Sequence, residues 1–270
     1  GRLTILLMGL DRRPGETGLG YRTDTMLLLS LDPRNQSVGV LSIPRDLYVD
    51  VPGYSALRRI NEPMALGELQ RLNYGPILAM ETVQYNLGIR VNHYIIVDFQ
   101  AFVQIIDALG GIEVMTDYVI DDQYYPTMNY GYERFYLAAG RNLLDGQTAL
   151  KFARTRHGDS DIERGKRQQQ VIFALLDKVS KAENLPQVIG QVPALWNALQ
   201  GNFYTNLSLD QMVQLGLYVK DIPRENINSG SISYEYLMDY TTPQGAQVLI
   251  PNRARLGELM ASVFGASYSE

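Results

Sequence analysis

The stretch TMLLLSLDPRNQSVGVLSI, residues 25–43, decides the fold because it reads as two strands joined by a tight turn. Residues 25–31 and 37–43 are apolar runs of strand length, and DPRN at residues 32–35 is typical of a turn. The two strands are therefore expected to form an antiparallel hairpin. A third apolar run, residues 3–9, precedes them and predicts a further buried strand.

The rest of the chain mixes helical and strand patterns. Its predicted elements are a helix at residues 76–87, a strand at 91–97, a helix at 99–109, several helices over 145–220, and a strand-and-helix unit at 228–264. This order predicts an α/β fold whose mixed, parallel and antiparallel, central sheet is flanked by helices on both faces. No segment has the composition of a linker, so residues 1–270 are expected to form a single domain.

A tyrosine-rich segment, residues 118–136, interrupts these patterns. It holds six of the 18 tyrosines and shows no clear period, so it is predicted to be irregular. Two interpretations stay open. The rings are either a platform on which sugar rings stack, or anchors that pin a long ordered loop.

The composition excludes several kinds of site. Cysteine is absent, which rules out disulfides, thiolate nucleophiles and cysteine-bound zinc. Two histidines, His93 and His157, are too few for a histidine-rich metal site. A metal would be held by oxygen, which favours magnesium, calcium or manganese. The formal net charge of −5 disfavours a nucleic-acid partner.

The sequence contains no apolar run that would span a bilayer. The run at residues 3–10 is far shorter than the ~20 residues that a spanning helix needs. No signal peptide opens the sequence. The numbering is typical of an excised soluble part, and an anchor upstream of it stays open.

A cluster of basic residues lies in the segment ARTRHGDSDIERGKRQQQ, residues 153–170. Ser160 followed by Glu163 predicts the start of a helix that runs over residues 161–181. Stepping back along its apolar stripe from Ile172 leads to Gln168 and Arg164, which are therefore expected to point inward.

A helix start with inward arginine favours an anionic ligand, because its free N–H groups and dipole add positive charge. An alternative stays open. The arginines are then only members of a buried ion-pair network with Asp159, Asp161 and Glu163.

Charged residues also gather where the first three strands end. Asp11 follows the first strand, Arg22 and Asp24 enter the second, and Arg45 and Asp46 leave the third. An antiparallel hairpin brings these ends together. Carboxylates that lie so close together repel each other unless a cation lies between them, so magnesium is predicted here. The alternative is a set of loop acids paired with loop arginines.

The chain resembles the LytR-CpsA-Psr (LCP) family of cell-envelope assembly proteins. The resemblance covers nearly all of residues 3–180 and rests on the arginine segment together with LLMGLD (6–11), RTDTM (22–26), SIPRD (42–46), VNHYIIVDFQAF (91–102) and DALGGIEV (107–114). Arg59-Ile60-Asn61-Glu62-Pro63 departs from the family pattern at Pro63, which leaves the role of Arg59 open.

The resemblance implies an activity and its components. The protein is expected to transfer a glycopolymer from a polyprenyl-pyrophosphate carrier to peptidoglycan, as an anchored protein on the extracytoplasmic face of the bacterial membrane. Magnesium, or manganese, would lie between Asp11 and Asp24. An apolar tunnel between the sheet and its helices would hold the prenyl tail.

The resemblance also implies roles for individual residues. The residues expected to bind the pyrophosphate are Arg22, Arg45, Arg154, Arg156, Arg164 and Gln168, with Arg167, Asp161 and Arg59 as secondary members. In the transfer step, Asp24 or Asp46 would take the proton of the acceptor hydroxyl beside Arg45.

Three other functions stay open at this point. A polyprenyl-pyrophosphate phosphatase would use the same phosphate-binding residues with water as the acceptor. A non-enzymatic transcription attenuator and a module that only binds lipid are the others.

Overall fold

The computed structural model describes residues 1–13, 15–156, 160–181 and 185–269. Its residues fall into two compact units, each described here by itself. The first comprises Gly1–Asp11, Thr17–Ile96 and Ile222–Glu270, and the second comprises Arg12–Glu16 and Val97–Asp221. The expectation of a single domain over residues 1–270 stays a prediction.

The described residues contain the following elements. The strands are β1 (Leu3–Leu10), β2 (Thr23–Asp32), β3 (Ser37–Ser42), β4 (Tyr48–Val49), β5 (Arg58–Arg59), β6 (His93–Asp98), β7 (Ile112–Thr116), β8 (Ile120–Pro126), β9 (Tyr132–Leu137), β10 (Gly140–Leu144), β11 (Phe203–Thr205), β12 (Ile227–Ser231), β13 (Leu237–Thr241) and β14 (Gln247–Pro251). The helices are α1 (Pro63–Gln70), α2 (Gly75–Leu87), α3 (Phe99–Ala108), α4 (Gly146–Arg154), α5 (Asp161–Ser180), α6 (Leu185–Ala198), α7 (Leu209–Lys220) and α8 (Arg253–Phe264). Across these residues, every helix is too short or too polar to cross a membrane.

The sheet of the first unit confirms the predicted hairpin. β2 and β3 pair antiparallel, with Leu31 opposite Val38, and β1 pairs antiparallel with the other edge of β2. β12 is parallel to β3, which gives the strand order β6-β1-β2-β3-β12 and confirms the mixed sheet. The consecutive residues Met26, Leu27 and Leu28 are each at most 1% exposed, so both faces of β2 are covered.

The prediction that the tyrosine-rich segment is irregular is wrong, because in the second unit it forms a hairpin. β8 and β9 pair antiparallel, and the register shifts between Asp122 and Tyr125. This irregularity breaks the alternation of buried and exposed side chains, which is why the segment shows no strand period. The hairpin packs its buried residues into a core with α4 and α5.

α8 packs very closely on β3 in the first unit. A methyl group added to Gly39 would lie 2.6 Å from the main-chain oxygen of Val263 and would also strike the ring of Phe264. Gly39 therefore lets the C-terminal helix approach the sheet, since no larger residue fits without moving the backbone.

We predict that Gly39→Ala lowers the free energy of unfolding by about 1–3 kcal/mol, because overpacking displaces α8 from the sheet. Urea unfolding of the purified chain measures this. Gly20→Ala is the matched control, since an added methyl group there meets no atom within 4 Å. Equal stability of Gly39→Ala and wild type would show that α8 is not held at this distance.

Candidate functional site

Asp24 lies in a β-bulge between β1 and β2. Gly9 pairs with Thr25 and Leu10 pairs with Thr23, so Asp24 is the extra residue of the bulged strand. Gly9 allows this close pairing, because a methyl group there would lie 3.0 Å from Thr25 Cβ. Bulges re-aim side chains and are common beside active sites.

Arg45 meets Asp24 at the end of the hairpin, as predicted. Arg45 Nη1 donates a hydrogen bond to Asp24 Oδ2 at 2.7 Å. Arg45 Nε also lies 3.6 Å from Asp46 Oδ2, and Asp46 Oδ1 lies 3.7 Å from Arg59 Nη1. The four side chains therefore form one chain of opposite charges, which orients Arg45 at the edge of the sheet.

Asp11 and Arg22 lie at the same end of the neighbouring strands. Asp11 is exposed and directly follows Leu10, which pairs with Thr23 of β2. Arg22 is also exposed, with its Nη2 at 3.9 Å from Glu62 Oε1. Arg22 is thus only loosely paired and is accessible to an anionic ligand.

The carboxylates at this edge fit magnesium only in part. Among the residues that the structure describes, no group of three or more His, Cys, Asp or Glu residues could hold a metal ion. Magnesium is commonly bound by one or two carboxylates together with substrate phosphates and water. Asp11 and Asp24 supply carboxylates at this edge, and their role as magnesium ligands stays a prediction.

In the second unit, Arg154 is held at the end of α4 by aromatic side chains. Its Nη1 donates to Tyr125 Oη at 2.9 Å, and its guanidinium lies 4.1 Å from the centre of the Phe99 ring. Burial raises the pKa of Tyr125, while Arg154 acts in the opposite direction. The planar guanidinium is thus fixed by one hydrogen bond and one stacking contact.

Thr155 fixes the chain between α4 and α5. It is fully buried, and its Oγ1 donates to Asp122 Oδ2 at 2.6 Å. Its main-chain oxygen accepts from Arg167 Nη2 at 2.5 Å, and Gln168 Nε2 donates to the main-chain oxygen of Ala153 at 3.3 Å. Arg167 and Gln168 therefore hold the backbone that carries Arg154.

The start of α5 is as predicted. Ser160 Oγ accepts from the Glu163 main-chain N–H at 3.4 Å, which makes Ser160 the N-cap. Arg164 is 6% exposed, and its Nη2 lies 2.5 Å from Asp161 Oδ1. Asp161 Oδ1 also lies 3.9 Å from Nη2 of the exposed Arg156. The predicted inward direction of Arg164 is confirmed.

Part of the predicted ion-pair network is present among the described residues. Asp161 pairs with arginine, whereas Glu163 accepts from Lys166 Nζ at 2.7 Å on an exposed part of the helix. Asp159 and His157 lie outside the described residues. Four arginines of the segment are described, Arg154, Arg156, Arg164 and Arg167, and Asp161 lies within 4 Å of two of them, Arg156 and Arg164.

An apolar cavity lies at the other end of α5. Its volume is ≈ 280 Å³, and its walls come from α3, α5, α6, β11 and α7. The lining residues include Ile105, Val179, Trp196, Phe203, Met212 and Leu217. Val179 follows Arg164 by 15 residues, which is about 22 Å along a helix. α5 thus carries buried arginines near its start and contributes Val179 to the apolar cavity near its end.

Sequence reasoning missed the residues that support the arginines. Tyr125 and Asp122 lie in the segment taken as irregular, and Thr155 carries no charge that would mark it. Phe99 could have been found, because it lies in the VDFQAF stretch that carries the family resemblance. The predicted roles of Arg22, Arg45, Asp46, Arg59, Arg154, Arg156, Asp161, Arg164, Arg167 and Gln168 stay predictions.

We predict that Tyr125→Phe reduces the loss of stability at alkaline pH. Because burial raises the pKa of Tyr125, the unfolded chain ionises first, at pH about 10. The stabilising contribution is full below that pH and is lost as the pH rises through the raised pKa of the folded state. Urea unfolding between pH 8 and pH 11 measures the slope.

The matched control is Tyr130→Phe, because Tyr130 is 81% exposed. It should keep the wild-type slope, whereas Tyr125→Phe should show a smaller one. Part of the slope should remain, since the pKa values of Tyr74 and Tyr94 are also raised. The same slope in wild type and Tyr125→Phe would contradict the burial of this hydroxyl.

Comparison with known proteins places these features in a family. Residues 1–263 match the model of the LytR_cpsA_psr family. Polyisoprenyl-teichoic acid–peptidoglycan teichoic acid transferase TagU from Oceanobacillus iheyensis is 34% identical over 215 residues, covering 79% of this chain and 61% of the relative. TagU from Bacillus cereus is 31% identical over 260 residues, covering 94% of this chain and 78% of the relative.

A solved structure agrees with this over the whole fold. The structure of TagT bound to LIIa-WTA has a TM-score of 0.76 and 26% identity, covering 97% of this chain and 91% of that one. TagT is a protein of B. subtilis. This chain spans about three fifths of the O. iheyensis TagU. The α/β fold and the sequence resemblance are both confirmed, and the chain belongs to the LytR_cpsA_psr family.

Proposed function

We propose that this protein transfers a glycopolymer from a polyprenyl-pyrophosphate carrier to peptidoglycan. One observation carries the proposal. α5 has buried arginines near its start and lines an apolar cavity near its end. A lipid diphosphate has the same two parts, an anionic head and an apolar tail. The names of the TagU relatives support the choice of teichoic acid as polymer and peptidoglycan as acceptor.

The arginines of the second unit suit the diphosphate head. Arg154 is oriented by Tyr125 and Phe99, so little side-chain entropy is lost when it binds phosphate. Arg156 is exposed and Arg164 is buried, which places charge both at the surface and below it. The N–H groups at the start of α5 add to the attraction for an anion.

The apolar cavity suits the prenyl tail. Among the described residues that line it, none carries a charged side chain, so a hydrocarbon chain would desolvate no charge there. The cavity would surround the tail with apolar side chains in place of lipid, so the donor would leave the bilayer without exposing hydrocarbon to water. The bound tail would then hold the diphosphate beside the arginines, whereas a small anion would have to reach them by diffusion.

The charged edge of the first unit suits the phosphoryl transfer itself. Magnesium bound with the donor phosphates would neutralise charge that develops on the transferred phosphoryl group. Arg45, oriented by Asp24, would stabilise the same charge. The acceptor hydroxyl forms a bond to phosphorus, the bond from phosphorus to the carrier phosphate breaks, and the hydroxyl proton passes to Asp24 or Asp46. Joint action of the residues of both units on one donor stays a prediction.

Peptidoglycan is assembled outside the cytoplasm, and we therefore propose an extracytoplasmic location. An anchor upstream of Gly1 would hold the catalytic residues near the lipid-linked donor. This anchor, too, stays a prediction.

We predict that Arg45→Ala and Arg154→Ala each lower the rate of polymer transfer by about 10²–10³, the typical loss of one donor to a developing charge. The assay uses a labelled polyprenyl-diphosphate-linked polymer and purified peptidoglycan, and it separates attached from released polymer. Arg141→Ala is the matched control, because Arg141 is exposed and pairs only with Glu113 among the described contacts.

Attached polymer that disappears in both variants and persists in the control supports the proposal. Released polymer without attachment would identify the chain as a hydrolase of the same lipid carrier. Unchanged transfer by Arg154→Ala would remove the α4–α5 segment from the site.

We also predict that chelation of divalent cations stops transfer and that added magnesium restores it. Asp11→Asn and Asp24→Asn should raise the magnesium concentration needed by tenfold or more, about 1.4 kcal/mol for each tenfold step. Binding of Mn²⁺ in the presence of a short-chain prenyl diphosphate, followed by electron paramagnetic resonance, gives a readout independent of turnover. Asp50→Asn is the control, since Asp50 is exposed and pairs with Arg253. Full activity after chelation would rule the metal out.

A further inference from the structure

The outward face of the β8–β9 hairpin displays a row of aromatic side chains. Tyr132, Arg134 and Tyr136 alternate along β9 and all are exposed. Phe135 and Leu137 are buried, whereas Glu133 is exposed and pairs with Lys151 of α4. Tyr124 of β8 lies next to Tyr132, with ring centres 6.3 Å apart and edge to face. We call Tyr124, Tyr132 and Tyr136, together with Arg134, the tyrosine face.

Packing does not explain the tyrosine face. Tyr124 is 76% exposed, Tyr132 is 72% exposed and Tyr136 is 54% exposed. The hairpin is held to its core by the opposite side chains, of which Ile120, Tyr125 and Phe135 are examples. Large aromatic side chains that cluster in solvent mark binding surfaces, because they offer broad contact area at a low cost in conformational entropy.

The charges on this face cancel. Arg134 Nε and Nη2 donate to the two carboxylate oxygens of Asp121 at 2.7 and 2.8 Å. Gln123 Nε2 also donates to Asp121, at 2.6 Å. A polyanionic ligand would require an excess of positive charge, which this face lacks. Its rings and its amide, hydroxyl and guanidinium groups suit a neutral ligand with flat apolar faces and hydroxyl groups.

The hairpin is also fixed to the segment that carries Arg154. On its buried side, Tyr125 accepts from Arg154 and Asp122 accepts from Thr155. At its tip, Arg13 Nη1 donates to the main-chain oxygen of Met128 at 2.8 Å, and the Arg13 guanidinium lies 3.8 Å from the centre of the Tyr130 ring. A ligand on the tyrosine face would therefore be held at a constant distance from Arg154.

We propose that the tyrosine face binds the glycan strand of peptidoglycan, the acceptor in the reaction proposed above. This inference rests on the proposed function. Pyranose rings present C–H groups that pack on aromatic faces, and their hydroxyl and acetamido groups take up hydrogen bonds. Tyr132 and Tyr136 lie four residues apart on one strand, about 14 Å, which suits several successive sugar rings rather than one. The polymer being transferred is a poorer fit when it is anionic, because the face is neutral.

Co-sedimentation with purified peptidoglycan sacculi, stripped of attached polymers and used without any donor, tests this proposal. The double variant Tyr132→Ala/Tyr136→Ala should bind sacculi about 25-fold more weakly, from about fivefold for each ring. Tyr132→Phe/Tyr136→Phe keeps the rings and should retain most of the binding. Tyr234→Ala is the control for loss of an exposed tyrosine, since Tyr234 is 65% exposed in the first unit.

Equal binding of sacculi by wild type and the double alanine variant would overturn the proposal. Binding of purified anionic teichoic acid, but not of sacculi, through these rings would also overturn it, because the occupant would then be the polymer. Failure of the proposed function gives a different result from failure of this inference. A wild-type chain that transfers nothing but binds sacculi through Tyr132 and Tyr136 would leave the tyrosine face standing. Transfer that is lost in Arg154→Ala but unchanged in the double alanine variant would contradict this inference and leave the proposed function intact.

Discussion

The second unit depends on the burial of positive charge at the start of α5. Arg164 and Arg167 are 6% and 3% exposed, and a charge so deeply buried is costly unless it is paired and hydrogen-bonded. Arg164 is paired with Asp161, and Arg167 donates to the main-chain oxygen of Thr155. The Thr155 hydroxyl in turn donates to Asp122 of the β8–β9 hairpin. One requirement thus connects α4, α5 and the hairpin.

The first unit solves a different problem, which is to bring charge to the end of an apolar sheet. Its central strand is buried on both faces and carries Asp24 only where the pairing with β1 becomes irregular. The bulge sets the direction of Asp24, and Asp24 in turn orients Arg45. The apolar strands form a rigid scaffold, and the charged side chains lie at the strand ends. Functional residues commonly lie on loops that a rigid scaffold positions.

The sequence predicted those parts of the molecule that depend on local pattern. The hairpin of β2 and β3, the N-cap Ser160 and the inward Arg164 and Gln168 all follow from spacing within one element. Arg167 was expected to be a secondary member of the pyrophosphate site. It is as deeply buried as Arg164, because α5 is covered on more than the side that carries its apolar stripe.

Features that combine distant segments were not predictable in the same way. The β8–β9 hairpin was missed because its register shift hides the alternation of side chains. The residues that line the apolar cavity come from α3, α5, α6, β11 and α7, which are joined only by folding. A tunnel for lipid was expected from the family resemblance alone. The bulge at Asp24 likewise exists only as a relation between two strands.

In the proposed function, α5 joins a site for a diphosphate to a cavity for its lipid tail. Gly216 on α7 lines that cavity, and an added methyl group there would meet no atom within 4 Å. Gly216→Leu should therefore fold and fill the cavity, and Gly190→Leu on α6 is the control at an open, exposed glycine. The measurement is KM for donors with long and short prenyl chains. We expect Gly216→Leu to raise KM for the long-chain donor about tenfold or more and to leave KM for the short-chain donor unchanged. Equal KM values for both donors in Gly216→Leu and wild type would contradict it.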